Sequence, residues 1–207
     1  METLYIGGGT PTALAKDDLE ILLDGINSIS PFETIREVTV ESRTAGQLGS
    51  GELKVLSKYG VTRISINPQT MNDRTLQRIG RNHTAQDVRE KFYLAREAGF
   101  DNINMDTICG LPEEGMKELE QTYRAIEELA PESLTVHALA IKRSSKFQQV
   151  KEHYHRYGAT PEMIDYAIGR AGDMGLEPYY LYRQKIYRGT WKTLDFPKSR
   201  KNVSIIF

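Results

Sequence analysis

The sequence predicts an α/β protein built on a parallel sheet, and three observations carry that prediction. Short apolar runs rich in β-branched residues alternate with helical patterns at least five times. Connections long enough to hold a helix imply parallel pairing with right-handed crossovers, so the sheet closes into a (β/α) barrel or stays open with helices on both faces. No repeat, low-complexity tract or linker interrupts the alternation, and 207 residues suit one well-buried domain. Finally, polar residues collect where the strands end, the place where a (β/α) barrel carries its function.

The elements follow in order. Leu4 to Ile6 is a short apolar strand that stops at Gly7-Gly8-Gly9-Thr10-Pro11. Asp17 to Ile29 carries apolar residues at helical spacing (Leu19, Leu22, Ile26, Ile29), and Ser30-Pro31 ends it. Glu37 to Glu41 reads as a strand, Gly49 to Tyr59 as a helix stopped by Gly60, and Val61 to Ile66 as the next strand. A long helix is expected after the loop at Asn67, and another from Thr84 to Ala98 with Gly99 as its stop. Asn102 to Ile108 is a strand, Met116 to Leu129 a helix and Ser133 to Ile141 a strand. Pro161 to Met174 is a helix with proline at its start, and Tyr179 to Gln184 a last strand.

Composition excludes several classes. A net charge of −1 leaves no electrostatic footprint for nucleic acid or an anionic membrane. No run of eighteen apolar residues exists and no signal pattern opens the chain, so a soluble, cytosolic protein is expected. The single cysteine, Cys109, excludes an internal disulfide and a self-contained cysteine-ligated metal site. Its apolar neighbours mark it as a small buried residue.

Three consecutive glycines offer no packing and cost backbone entropy. They suit a place where a ligand lies against the main chain, or a tight turn without one. Glu41 and Asp106 are carboxylates in otherwise apolar strands, which are costly to bury without hydrogen bonds. Each faces a polar ligand or basic group, or else Glu41 is solvated at the rim and Asp106 caps the turn before Gly110. His137 reads as a core histidine, and Arg81 by default as a helix C-terminal cation. Together the glycines, the two carboxylates, Gln69 and Arg81 suit a zwitterionic ligand with hydroxyls.

These motifs resemble a known family. Gly7-Gly8-Gly9-Thr10-Pro11-Thr12, Thr39-Val40-Glu41 and Gly60 to Ile66 with Gln69 are similar to the radical S-adenosylmethionine core. Ile79 to His83, Ser65 to Met71, Asn104 to Pro112 and Tyr179 to Lys185 resemble oxygen-independent coproporphyrinogen III oxidases, in their coproporphyrinogen dehydrogenase-like branch. The resemblance covers about residues 2 to 185. It implies an incomplete parallel radical-SAM-type partial TIM barrel. Gly8, Gly9 and Thr10 would contact the methionine part of S-adenosylmethionine, and Glu41 its ribose. Gln69, Arg81 and Asp106 would line the nucleoside and carboxylate sites, with Ala140 near the adenine. The family reaction uses a [4Fe–4S] cluster to cleave the cofactor, and the resulting radical oxidatively decarboxylates porphyrinogen propionates.

The resemblance also shows departures. The family's Cys-x-x-x-Cys-x-x-Cys motif and the strand before it should precede Leu4, so the first strand is expected to be missing, Leu4 to Ile6 to form an edge, and the chain to be marginally stable, to bind no cluster and to be inactive. After Lys185 the family pattern breaks off. Residues 186 to 207 are expected to be a divergent tail, disordered or frameshifted, with no partner in the core of residues 1 to 185. A non-enzymatic binder of S-adenosylmethionine, porphyrin or haem, like the family's haem chaperones, is the alternative, and the glycine loop alone would allow an unrelated phosphate-binding barrel.

Overall fold

The computed structural model describes residues 1–8, 11–42, 48–139, 158–178, 180–183 and 192–197. Its elements run β1 (Thr3–Ile6), α1 (Lys16–Ile29), β2 (Glu37–Ser42), α2 (Ser50–Lys58), β3 (Arg63–Gln69), α3 (Asp73–Arg78) and α4 (Ala85–Glu97). They continue with β4 (Ile103–Cys109), α5 (Met116–Leu129), β5 (Ser133–Ala138), α6 (Pro161–Asp173), β6 (Tyr180–Arg183) and β7 (Lys192–Pro197). The strands lie in the order β1-β2-β3-β4-β5-β7-β6. β1 to β5 pair in parallel and form a curled half-barrel, with β1 at one edge of the described sheet.

Each strand alternates, and the alternation gives the sheet two unlike faces. Val38 and Val40, Ile64 and Ile66, Ile103 and Met105, and Leu134 and Val136 form one apolar face. Leu19, Leu23, Leu53, Phe92, Tyr123 and Ile164 from the helices join them in a single core. The intervening positions are polar and belong to the other face. Buried parallel strands usually read as continuous apolar runs, so a polar face on this one is informative.

Two expectations are corrected. The segment after Asn67 is not a loop leading to a long helix. β3 continues through Asn67 and Pro68 to Gln69, which pairs with Thr107 after a shift in register. Only the short α3 follows. Asn72 caps it, its Oδ1 accepting from the N–H groups of Arg74 (3.1 Å) and Thr75 (3.4 Å). Gly80, at φ 74°, turns the chain out of it. The tail also departs from expectation at Lys192–Pro197, because β7 pairs antiparallel with both β5 and β6. Its Thr193-Leu194-Asp195-Phe196 alternation has the period of a strand, and β5 offers it an edge.

Candidate functional site

The polar face is built in rows set by strand register. Tyr5 lies beside Thr39 and Arg63, and Glu41 beside Ser65, Asn104 and Ser133. Asp106 lies beside Thr135, and Ile108 beside His137. Most of these side chains are buried by one another, and hydrogen bonds join them across the rows. Arg63 Nη2 donates to Ser133 Oγ at 2.9 Å, and its Nη1 lies 3.7 Å from Glu37 Oε1. Thr39 Oγ1 donates to Glu37 at 3.1 Å. Ser65 Oγ donates to Asn67 Oδ1 at 2.6 Å.

At the upper rim the first glycine loop meets Glu41. Tyr5 Oη (3.0 Å) and the Gly8 N–H (3.2 Å) both donate to Glu41 Oε2. Burial, reinforced by the charges of Glu41 and Asp106, pushes the Tyr5 phenol above its ordinary value. Gly7 and Gly8 are explained by this geometry. A Cβ on Gly7 would sit 2.3 Å from Tyr5 Cε1 and 2.7 Å from Glu41 Oε2, so any other residue would drive the phenol off the carboxylate. Gly8 has φ 94°, which L side chains rarely adopt. Glu41 is therefore not merely a solvated rim residue.

Asp106 does not cap the turn before Gly110. Its Oδ1 accepts from Asn104 Nδ2 at 2.7 Å, and its Oδ2 lies 3.7 Å from His137 Nε2. His137 is half-buried on the polar face rather than a core histidine. Gln69 ends β3 with φ 67°, a left-handed conformation costly for a side chain other than glycine.

Arg81 is placed by another element. The turn after α3 is closed by the Arg81 N–H donating to the Leu76 carbonyl at 2.9 Å. α3 in turn is clamped by the loop after β4. Glu113 pairs with Arg74 (3.3 Å) and with Arg78, and Glu114 accepts from Thr70 Oγ1 at 2.6 Å. Two residues beyond Arg81, His83 is buried, and burial holds its imidazole below the ordinary value.

The structure thus brings Gly8, Glu41 and Asp106 onto one face, with Gln69 at the end of an intervening strand. Gly9, Thr10 and Ala140 lie outside the described residues. Tyr5, Arg63, Ser65, Asn104 and Thr135 were not singled out from the sequence. The strict polar–apolar alternation of Arg63 to Asn67 and of Ser133 to His137 was the signal that would have found Arg63, Ser65 and Thr135. Cys109 is fully buried on β4, and burial pushes its thiol up to about 12.

A parallel half-barrel with a polar site along the C-terminal ends of its strands defines the class. The chain belongs to the radical SAM superfamily, whose model matches residues 1–126. It is 41% identical over 197 residues to the oxygen-independent coproporphyrinogen-III oxidase-like protein HemZ of Bacillus subtilis, covering 94% of this chain and 39% of that protein. It is 34% identical over 184 residues to the haem chaperone HemW of Bacillus subtilis, covering 86% of this chain and 48% of that one. The fold is similar to coproporphyrinogen III oxidase (HemN) from Escherichia coli, at a TM-score of 0.74 and 23% identity over 86% of this chain and 41% of that chain. The chain therefore spans less than half the length of these relatives.

Among the described residues no helix is long and apolar enough to cross a membrane.

Proposed function

We propose that this chain is the S-adenosylmethionine-holding part of a radical SAM protein of the coproporphyrinogen oxidase-like type, acting in the cytoplasm on a porphyrinogen. The observation that supports the reading most is the convergence on Glu41. The tyrosine and the loop amide both bind Oε2, which fixes the carboxylate beside the glycine loop at a strand end. A carboxylate so held accepts from a ribose diol. Gly8, Gly9 and Thr10 then meet the methionine part of the cofactor. Gln69, Arg81 and Asp106 line the nucleoside and carboxylate sites, and Ala140 lies at the adenine.

S-adenosylmethionine fits the residues present, because the loop is shaped by glycines and faced by an anchored carboxylate. When bound, it supplies the 5′-deoxyadenosyl group of the family chemistry. The chain's own part is to bind and orient it. A [4Fe–4S] cluster does not fit this chain. It needs several thiolates, and the one cysteine is sealed in the core with its thiol pushed up. We infer that residues 1–207 alone are inactive in radical formation.

Isothermal titration with S-adenosylmethionine tests the reading, and binding that is weakened by Glu41→Gln is expected. An unsubstituted chain that takes up no S-adenosylmethionine would refute it. The similarity to HemW favours a second reading, a haem binder, and titration with haem decides it by a 1:1 Soret shift. Anaerobic iron and sulfide should yield no stable cluster absorbance from this chain.

A further inference from the structure

We propose that Asn104 is a positioning residue for Asp106, fixing the orientation in which that carboxylate meets its ligand. The inference rests on the reading that Asp106 faces S-adenosylmethionine. Asn104 lies two residues before Asp106 on β4, on the same face, and is 5% exposed. A side-chain amide has two donors and a carbonyl oxygen with two lone pairs, and here all four are used. Nδ2 donates to Asp106 Oδ1 at 2.7 Å and to Ser65 Oγ at 3.0 Å. Oδ1 accepts from Ser133 Oγ at 3.0 Å and from Thr135 Oγ1 at 3.2 Å.

The partners leave the amide a single orientation. The Asp106 carboxylate offers only acceptors, so the NH2 must face it. Ser133 Oγ already receives a hydrogen from Arg63, so its own proton is directed to the Asn104 carbonyl. Asn104 is thereby tied to β3 and β5 as well as its own strand, which makes it a rigid reference for a charge-assisted bond. One oxygen of Asp106 is committed to that bond, and the other is presented beside His137.

The test uses Asn104→Asp, which keeps the shape but removes both donors and sets a second carboxyl against Asp106. Two carboxyls that close share a proton, so the donor returns when the pH falls. Titration calorimetry with S-adenosylmethionine is run at pH 8 and pH 5.5 on the full chain. It is repeated on Tyr59→Phe, which removes the Tyr59 bond to Asp24 on α1 and touches no residue of the polar face. Relative to the unsubstituted chain at the same pH, Asn104→Asp is expected to bind about tenfold more weakly at pH 8 and within about threefold at pH 5.5. Tyr59→Phe should stay within about twofold at both. A purely structural Asn104 would lower thermal stability without this pH pattern, and that result would overturn the proposal.

If the unsubstituted chain binds no S-adenosylmethionine, the reading of the site fails. The positioning claim is then decided without ligand, as it is if Asn104→Asp does not fold. The Asn104 side-chain amide resonances should exchange slowly with solvent and shift markedly in Asp106→Asn. Resonances that ignore that substitution would sink the proposal.

Discussion

Replacing Arg63 by methionine removes a cation that faces the Glu37 carboxylate inside the polar face. The two groups lie 3.7 Å apart with side chains only 8% and 6% exposed, so water screens neither well. At that separation their attraction is about 4 kcal/mol with an effective dielectric of 20, offset by the cost of dehydrating both. Removing one partner keeps that cost and loses the attraction, and the expected destabilisation is about 3–5 kcal/mol. In a domain of this size, that lowers Tm by roughly 6–20 °C. The double variant Arg63→Met with Glu37→Met removes both charges and should lie within about 1 kcal/mol of the parent. Urea unfolding followed by circular dichroism measures all three corners with the parent as the fourth. The reasoning is refuted if Arg63→Met loses under about 1 kcal/mol, or if the double variant loses as much as the single.

Three further outcomes are expected. Tyr5→Phe removes a donor to Glu41 Oε2, so S-adenosylmethionine affinity should fall about five- to tenfold with little change in stability; calorimetry showing equal affinity would contradict this. Burial lowers the His83 value, so its contribution to stability is complete above the unfolded value of about 6.5 and is lost as pH falls through the folded one. The parent's stability lead over His83→Gln should therefore shrink between pH 7 and pH 5, and parallel urea curves would disprove it. Burial raises the Glu114 carboxyl, so its effect runs the other way: favourable below the unfolded value of about 4.5 and lost as pH rises through the folded one. Glu114→Gln should be more stable than the parent at pH 7, with the advantage gone near pH 4.

Fold class and most elements were legible because each signal was local. Thr84 caps α4, Pro161 opens α6, and the apolar spacing from Leu119 to Leu129 fixes α5. α3 was not legible. Its length depends on a register shift between Ile66 and Gln69, a property of two strands rather than one. Glu41 and Asp106 stood out as charges in apolar surroundings. Their supports did not, because Tyr5, Ser65 and Asn104 are ordinary strand residues until neighbouring strands align them. β7 was missed for a related reason. Its partner β5 is remote in sequence, and only tertiary pairing joins them.

That pairing has a kinetic consequence. Ser133 lies opposite Pro197, so the outer edge of β5 cannot close until the last described strand has been made. At about 5–20 residues per second on a ribosome, β5 waits several seconds with its backbone groups open. β6 leaves the ribosome earlier than β7, yet its only described pairing is to β7, so the two must dock together, after the parallel strands have formed. During the interval an open strand edge is a template for a neighbouring nascent chain. Recovery of soluble protein should therefore depend on how quickly residues 139–197 are translated, and synonymous codons there become a lever on yield that leaves every side chain in place.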